Sequence, residues 1–165
     1  MKHIISALVQ NRPGVLAHVA GMFAARAFNI DSLAVGRTDD PALSRMTIVV
    51  IGDDKVVEQV RKQLEKIVEI VKVQDFSFKD VIAHDLMLMC VNAPAEKRAE
   101  ILALVEMFKA KVVDIGQKFI MVELANSEDK IEAFIDACKP YGIKNMVRTG
   151  TVAMARLSVS GTDNE

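Results

Sequence analysis

The run Asn11-Arg12-Pro13-Gly14-Val15-Leu16 holds the residue types best suited to binding chemistry. An apolar run, Ile4 to Val9, leads into it, and a helical pattern, Val15 to Arg26, leads out. A strand therefore ends, the backbone turns, and a helix begins. Pro13 fixes φ and lacks a donor, which suits a turn or a first helical position. Gly14 has no side chain, so a ligand can approach the backbone there. The N–H groups of Gly14, Val15 and Leu16 have no partner in the first helical turn. With the positive end of the helix dipole they form a site for an anion such as a carboxylate. Asn11 adds a side-chain carbonyl and amide for a second polar group. A carboxylate and an ammonium recognised side by side are the chemistry of a free amino acid. The same residues also read as a plain helix start after a strand, so the rest of the chain has to decide.

No catalytic constellation competes with this turn. His3, His18 and His84 are scattered, and His84 with Cys90 would be two ligands where a metal needs three or four, so no metal site is expected. Neither standard Gly-rich phosphate loop is present. Asp39-Asp40 before Pro41 reads as a solvated turn, and Ser44 has no nearby base in sequence. The nine methionines, Met22, Met46, Met87, Met89 and Met121 among them, fall at core positions and read as filler. Cys90 and Cys138 lie in apolar periodic segments and read as buried thiols in a reducing compartment.

The 165 residues allow one medium domain or two small ones, and the 51% hydrophobic fraction builds a core easily. A net charge of −1 with both signs abundant argues against a nucleic-acid binder. No apolar run reaches the length of a membrane span. The first residues pass directly into a strand pattern without a cleavage site, so a cytoplasmic location is expected.

The elements that must position the turn follow from periodicity. His3 to Gln10 is a strand, Val15 to Arg26 a helix, and Ile30 to Val35 and Met46 to Ile51 two more strands. Gly52-Asp53-Asp54 then opens a helix capped by Asp54, with Val57, Val60 and Leu64 as its stripe, and Ile67 to Gln74 is the fourth strand. After a break at 75–82 the order repeats. Leu86 to Val91 is a strand, and Asn92-Ala93-Pro94 opens a helix bearing Ile101, Leu104, Val105 and Phe108. Val112 to Ile115 and Phe119 to Ala125 are strands. A helix capped by Ser127 carries Ile131, Phe134, Ile135 and Cys138, and Ile143 to Arg148 is the last clear strand. The chain is α+β, two ferredoxin-like β-α-β-β-α-β domains. They span 1–76 and 83–157, with a linker at 77–82 and a frayed tail at 158–165. Such a unit leaves one sheet face and its edge strands open, so dimerisation is expected.

The turn at 11–16 together with Phe28-Asn29-Ile30-Asp31-Ser32-Leu33 resembles an ACT domain, a small amino-acid-sensing module. The run Thr38-Asp39-Asp40-Pro41-Ala42-Leu43-Ser44-Arg45-Met46-Thr47 is similar to the regulatory small subunits of acetohydroxyacid synthase (acetolactate synthase), and the layout matches over the whole chain. The resemblance implies a non-catalytic subunit that binds a large thiamine-diphosphate-dependent catalytic subunit, raises its activity and makes it sensitive to valine. It implies a homodimer through the ACT domains, with residues 1–76 carrying effector binding and dimerisation. No cofactor is implied in this chain; thiamine diphosphate, Mg and FAD belong to the catalytic partner. Carried over, Asn11, Gly14, Val15 and Leu16 of one chain hold valine, and Asn29 and Ile30 close the site from the other. Val35 and Gly36 are neighbours of that site; family members often carry another small residue at position 36. The isopropyl group would bury against Val15, Leu16, Ile30 or Val35. A free-standing ACT-domain sensor controlling a different enzyme is the alternative.

Overall fold

The computed structural model describes residues 1–77 and 80–157. The first unit runs β1 (Lys2–Gln10), α1 (Val15–Ala25), β2 (Ile30–Arg37), β3 (Leu43–Ile51), α2 (Asp54–Leu64) and β4 (Ile70–Asp75). The second runs β5 (Val81–Asn92), α3 (Arg98–Met107), β6 (Lys111–Ile115), β7 (Phe119–Asn126), α4 (Glu128–Cys138) and β8 (Ile143–Arg148), and β9 (Val152–Ala155) follows. The sheets are ordered β2-β3-β1-β4 and β6-β7-β5-β8, with β9 paired to β5 outside that path. Every pairing along both paths is antiparallel. Both units therefore have the expected ferredoxin-like topology.

Alternation along the strands decides which face takes the helices. In the first unit Ile5, Ala7 and Val9 of β1 and Met46, Ile48 and Val50 of β3 pack against Val15, Val19, Met22 and Phe23 of α1 and Val57, Val60 and Leu64 of α2. Each such side chain contributes on the order of 1.5–3 kcal/mol by leaving water. Eleven-residue helices are marginal alone, so this stripe is what keeps α1 formed. On the opposite face of that sheet Ser6, Thr47 and Val49 are buried, while Ile4, Leu8 and Arg45 are half-buried and Ile51 is exposed. The second core repeats the plan with Met87, Met89 and Val91 of β5, Ile120, Val122 and Leu124 of β7, Ile101 and Val105 of α3, and Ile131, Phe134, Ile135 and Cys138 of α4.

Several boundaries differ from the sequence reading, each for a local reason. Asp53, not Asp54, caps α2; its backbone is still extended and its carboxylate accepts the Val56 N–H at 2.9 Å. Ile67 does not begin β4 but is buried in the turns before it. The helix expected from Asn92 starts only at Arg98, because the N–H groups of Asn92 and Ala93 are taken by the carbonyls of Gly142 and Lys118. β5 begins at Val81 rather than Leu86, so the 77–82 linker contains the start of a strand, to which β9 pairs. The compact units are Met1–Ile82 with the chain from Ala153 on, and Ala83–Val152, so the end of β9 groups with the first unit rather than with 83–157. The tail at 158–165 lies outside the described residues.

The core assignment of Cys90 and Met121 also changes. They are register partners on the sheet face away from the helices, where Cys90 is half-buried and Met121 is exposed. Cys138 is buried as expected, and burial pushes its thiol up to about 11.

A buried ion pair ties the second unit together. Asp85 on β5, 3% exposed, accepts from Arg148 of β8 at 2.7 Å and from the Thr149 hydroxyl at 3.1 Å, and Arg148 also reaches Glu132 of α4. Removing one partner of such a pair leaves the other uncompensated. Asp85→Ala should therefore cost roughly 3 kcal/mol of stability, the lower end for buried pairs because Arg148 keeps some contact with water. Denaturant unfolding of the full chain checks this; a loss under about 1 kcal/mol, the level of a surface pair, would contradict it.

Candidate effector site

The turn between β1 and α1 is built by the chain that surrounds it. The Asn11 N–H donates to the Ala42 carbonyl at 2.7 Å, and its side-chain amide donates to the Pro41 carbonyl at 3.0 Å. Asn11 is thus already tied to the β2–β3 loop, which the sequence reading did not foresee, and its side-chain oxygen is the group left to accept from a ligand. Arg12 is held by the Gln10 side chain. Gly14 is the N-cap of α1 at φ 88°, a left-handed conformation that favours glycine, and no side chain caps the helix. A Cβ built at Gly14 meets nothing within 4 Å, so the space over this turn is open.

The open donors are close to those expected. Among the described residues the Gly14 and Leu16 N–H groups make no hydrogen bond, and that of Val15 reaches the Arg12 carbonyl only at 3.5 Å. The Val15 side chain, however, is 4% exposed and part of the core, so it offers a ligand its N–H and not its methyl groups. Leu16 and Val35 are the exposed apolar members of the set. Gly36 is exposed with open space where a Cβ would be.

Asn29 and Ile30 are not beside this turn. The register places Ile30 opposite Val50, which also faces His3, at the start of β1. Arg37 lies opposite Ser44, which also faces Val9, at the end of β1. The two ends are six strand positions apart, about 20 Å at some 3.4 Å per residue. Within one chain the candidate residues therefore form two groups: Asn11, Gly14, Val15 and Leu16 at the end of the sheet where Gly36 lies, and Asn29 with Ile30 at the other. Ile30 also packs on its own unit's core, because a bulge between Ile30 and Ser32 turns it to the helix side.

One feature of α1 escaped the sequence reading. Its solvent side carries Leu16, Ala17, Ala20, Gly21 and Ala24, and His18 is the helix's one ionisable residue. Gly21 costs about 1 kcal/mol against alanine in a helix, yet nothing within 4 Å would obstruct a Cβ there. The exposed face of α2 is the opposite: Arg61 bonds Glu58 and Glu65, and Lys62 joins Glu58. Arg61, then Lys62, hold the Glu58 carboxyl down at about 2. Eleven consecutive residues without Asp, Glu, Lys or Arg were the available signal in α1.

No group of His, Cys, Asp and Glu among the described residues could hold a metal ion. No helix among them is long and apolar enough to cross a membrane.

Comparison with known proteins adds a family to this geometry. Residues 5–72 match the family described as AHAS small subunit-like ACT domain, and residues 84–157 match that described as small subunit of acetolactate synthase. A protein of Archaeoglobus fulgidus described as "probable acetolactate synthase small subunit" is 53% identical over 94% of this chain and 98% of its own length. The chain belongs to the family of acetolactate synthase small subunits. The small subunit of Aquifex aeolicus is 45% identical over 99% of this chain and 86% of its own. The crystal structure of the Thermotoga maritima small subunit superposes with a TM-score of 0.90 at 40% identity, covering 96% of this chain and 99% of that one. The first unit is accordingly an ACT domain, and the turn at 11–16 lies inside it.

Proposed function

We propose that this small subunit binds a thiamine-diphosphate-dependent catalytic subunit of acetolactate synthase, raises its activity and confers inhibition by valine, with no chemistry of its own. Thiamine diphosphate, Mg and FAD then belong to the catalytic partner. The observation that carries the effector reading is the separation of the site into two groups at opposite ends of β2, an edge strand. A second copy laid antiparallel along β2 by a two-fold axis brings Asn29 and Ile30 of one protomer to the Asn11–Leu16 turn of the other. The bulge in β2 falls at its start and leaves Ser32 to Arg37 regular for such pairing. The matching edge in the second unit, β6, is bulged in its middle, between Val112 and Asp114, which guards it against pairing. The uncharged face of α1 supports the same dimer.

In this reading the valine carboxylate takes the Gly14 and Leu16 N–H groups and its ammonium takes the Asn11 and Asn29 side-chain oxygens. Its isopropyl group buries against Leu16, Val35 and the partner's Ile30, gaining about 1.5–3 kcal/mol. A ligand held by both protomers favours the dimer geometry in which they meet. Its differential affinity is what shifts the catalytic partner.

The test is acetolactate formation by the catalytic subunit with and without this chain, titrated with valine. The expected result is higher activity with the chain and loss of that gain on adding valine. No change with the chain, or acetolactate formation by the chain alone, contradicts the reading.

A further inference from the structure

We propose, building on the effector reading above, that Asp40 is a positioning residue of that site: it sets which end of the Asn11 amide faces the ligand. By sequence Asp40 belongs to a solvated turn. In the structure it organises the whole loop between β2 and β3, residues 38–42. Its carbonyl accepts the Leu43 N–H at 3.0 Å, which closes a β-turn with Pro41 at the second position. Its carboxylate accepts the Ala42 N–H at 2.9 Å. Thr38 steadies the same residue, because its hydroxyl accepts the Asp40 N–H at 3.1 Å and donates to the Asp40 carbonyl at 3.0 Å.

The Ala42 N–H and the Pro41 carbonyl belong to one rigid peptide plane. They point in opposite directions from it, so holding one end aims the other. Asp40 holds the N–H end, and the carbonyl end meets the Asn11 side chain at 3.0 Å. A carbonyl can only accept, so the Asn11 amide turns its nitrogen inward and its oxygen outward. Among the described residues none donates to that oxygen. An outward acceptor is what recognises an ammonium. Were the Pro41–Ala42 plane free to turn, the Asn11 amide could flip and offer its NH2 group, a donor that an ammonium cannot use.

The second unit shows that fastening the loop and presenting an oxygen are separable tasks. Its strand–helix turn closes on its hairpin loop by the same backbone bond: the Ala93 N–H donates to the Lys118 carbonyl at 2.7 Å, as that of Asn11 does to Ala42. The strand register agrees, since Asn92 lies opposite Phe119 as Gln10 lies opposite Leu43. The counterpart of Pro41 is therefore Gln117, and its carbonyl accepts from the Arg98 guanidinium at 2.8 Å. Arg98 also donates to the Ala93 and Gly116 carbonyls at 3.1 and 2.8 Å. There the fastening is done by a cation with no acceptor to offer, and Ala93 has no polar side chain. In the first unit it is done by an amide that keeps an oxygen on the turn whose Gly14 and Leu16 N–H groups are open.

The test is calorimetric titration of valine into the full chain and into Asp40→Ala, Asp40→Asn, Asn11→Ala and the double variant Asp40→Ala/Asn11→Ala. Asp40→Ala should weaken valine binding about threefold to about tenfold, the worth of one ordinary hydrogen bond. Asp40→Asn keeps an oxygen for the Ala42 N–H and should stay within about twofold of the wild type. With Asn11 already alanine, Asp40→Ala should add less than about twofold, because its effect passes through that side chain. Wild-type affinity in Asp40→Ala, equal losses in the two Asp40 variants, or an undiminished loss in the Asn11→Ala background would each overturn the role of Asp40 and leave the effector reading standing. No valine binding by the wild-type chain would overturn the effector reading and the role of Asp40 with it.

Discussion

Gly14→Asp should weaken the proposed valine response at least about fivefold, while Gly14→Asn should largely keep it. Both substitutions place a side chain where φ is +88° with no obstruction, so both bear the same backbone strain, and Asn and Asp tolerate that region best. They differ in one charge. The aspartate carboxylate stands over the N–H groups proposed to take the effector's carboxylate. Two like charges about 4 Å apart repel by roughly 1 kcal/mol in water and about 4 kcal/mol near a protein surface. The expected weakening of valine binding is therefore about fivefold to about a thousandfold, toward the upper end once a second protomer covers the site. Calorimetric titration of valine into both variants measures it. Wild-type affinity in Gly14→Asp would move the site elsewhere. Equal loss in both variants would show that the turn's backbone, and not an anion, is what matters. Asn11→Ala is a less clean probe than its position on the turn suggests, because it also removes the bond to Pro41.

Gly21→Glu should separate the protomers of the proposed dimer without unfolding the chain. Nothing within 4 Å of a Cβ at Gly21 belongs to the same chain, so the fold has room for the side chain. Replacing a mid-helix glycine gains up to about 1 kcal/mol of helix propensity, so α1 itself is not weakened. In the proposed dimer each new carboxylate would face the uncharged side of the partner's α1 and its own symmetry mate. Burying an unpaired charge costs several kcal/mol, so the dimer should form only at protein concentrations about a hundredfold or more above those for the wild type. Sedimentation velocity over a concentration series reads this directly, with circular dichroism as the check on the fold. A dimer of unchanged affinity would place the interface away from α1. Because the proposed effector site is shared between protomers, the same variant should also lose valine binding, although it touches none of the site residues.

Much of this was legible from residue order. Alternating and helical periods marked both β-α-β-β-α-β units, and Val57, Val60 and Leu64, like Ile131, Phe134, Ile135 and Cys138, proved to be buried stripes. Pro13-Gly14 marked the turn, and the Gly14 and Leu16 donors are open as their place before and within the first helical turn requires. Burial was misjudged where a residue's face depends on its neighbours. Cys90 and Met121 sit on the sheet face away from the helices, while Val15, on the buried stripe of α1, leaves an effector only its N–H. Ile30 turns to the helix side, out of step with Ser32, because the bulge between them breaks the strand's alternation.

The sequence by itself thus determined the local chemistry: where strands and helices form, where a helix N-terminus stays uncapped, and that the chain repeats one motif twice. These depend on residues a few positions apart, and the 2.0 and 3.6 periods record them directly. Only the tertiary structure decided that β2 is an edge, that its bulge falls at its start, and that Asn29 and Ile30 lie at the end of that strand away from their own chain's turn, about 20 Å along it. It also joined His3 to Ser77 across 74 positions of chain. Those facts follow from which strands pair and in what register, and that is set by the fit of the whole core rather than by any short run of residues.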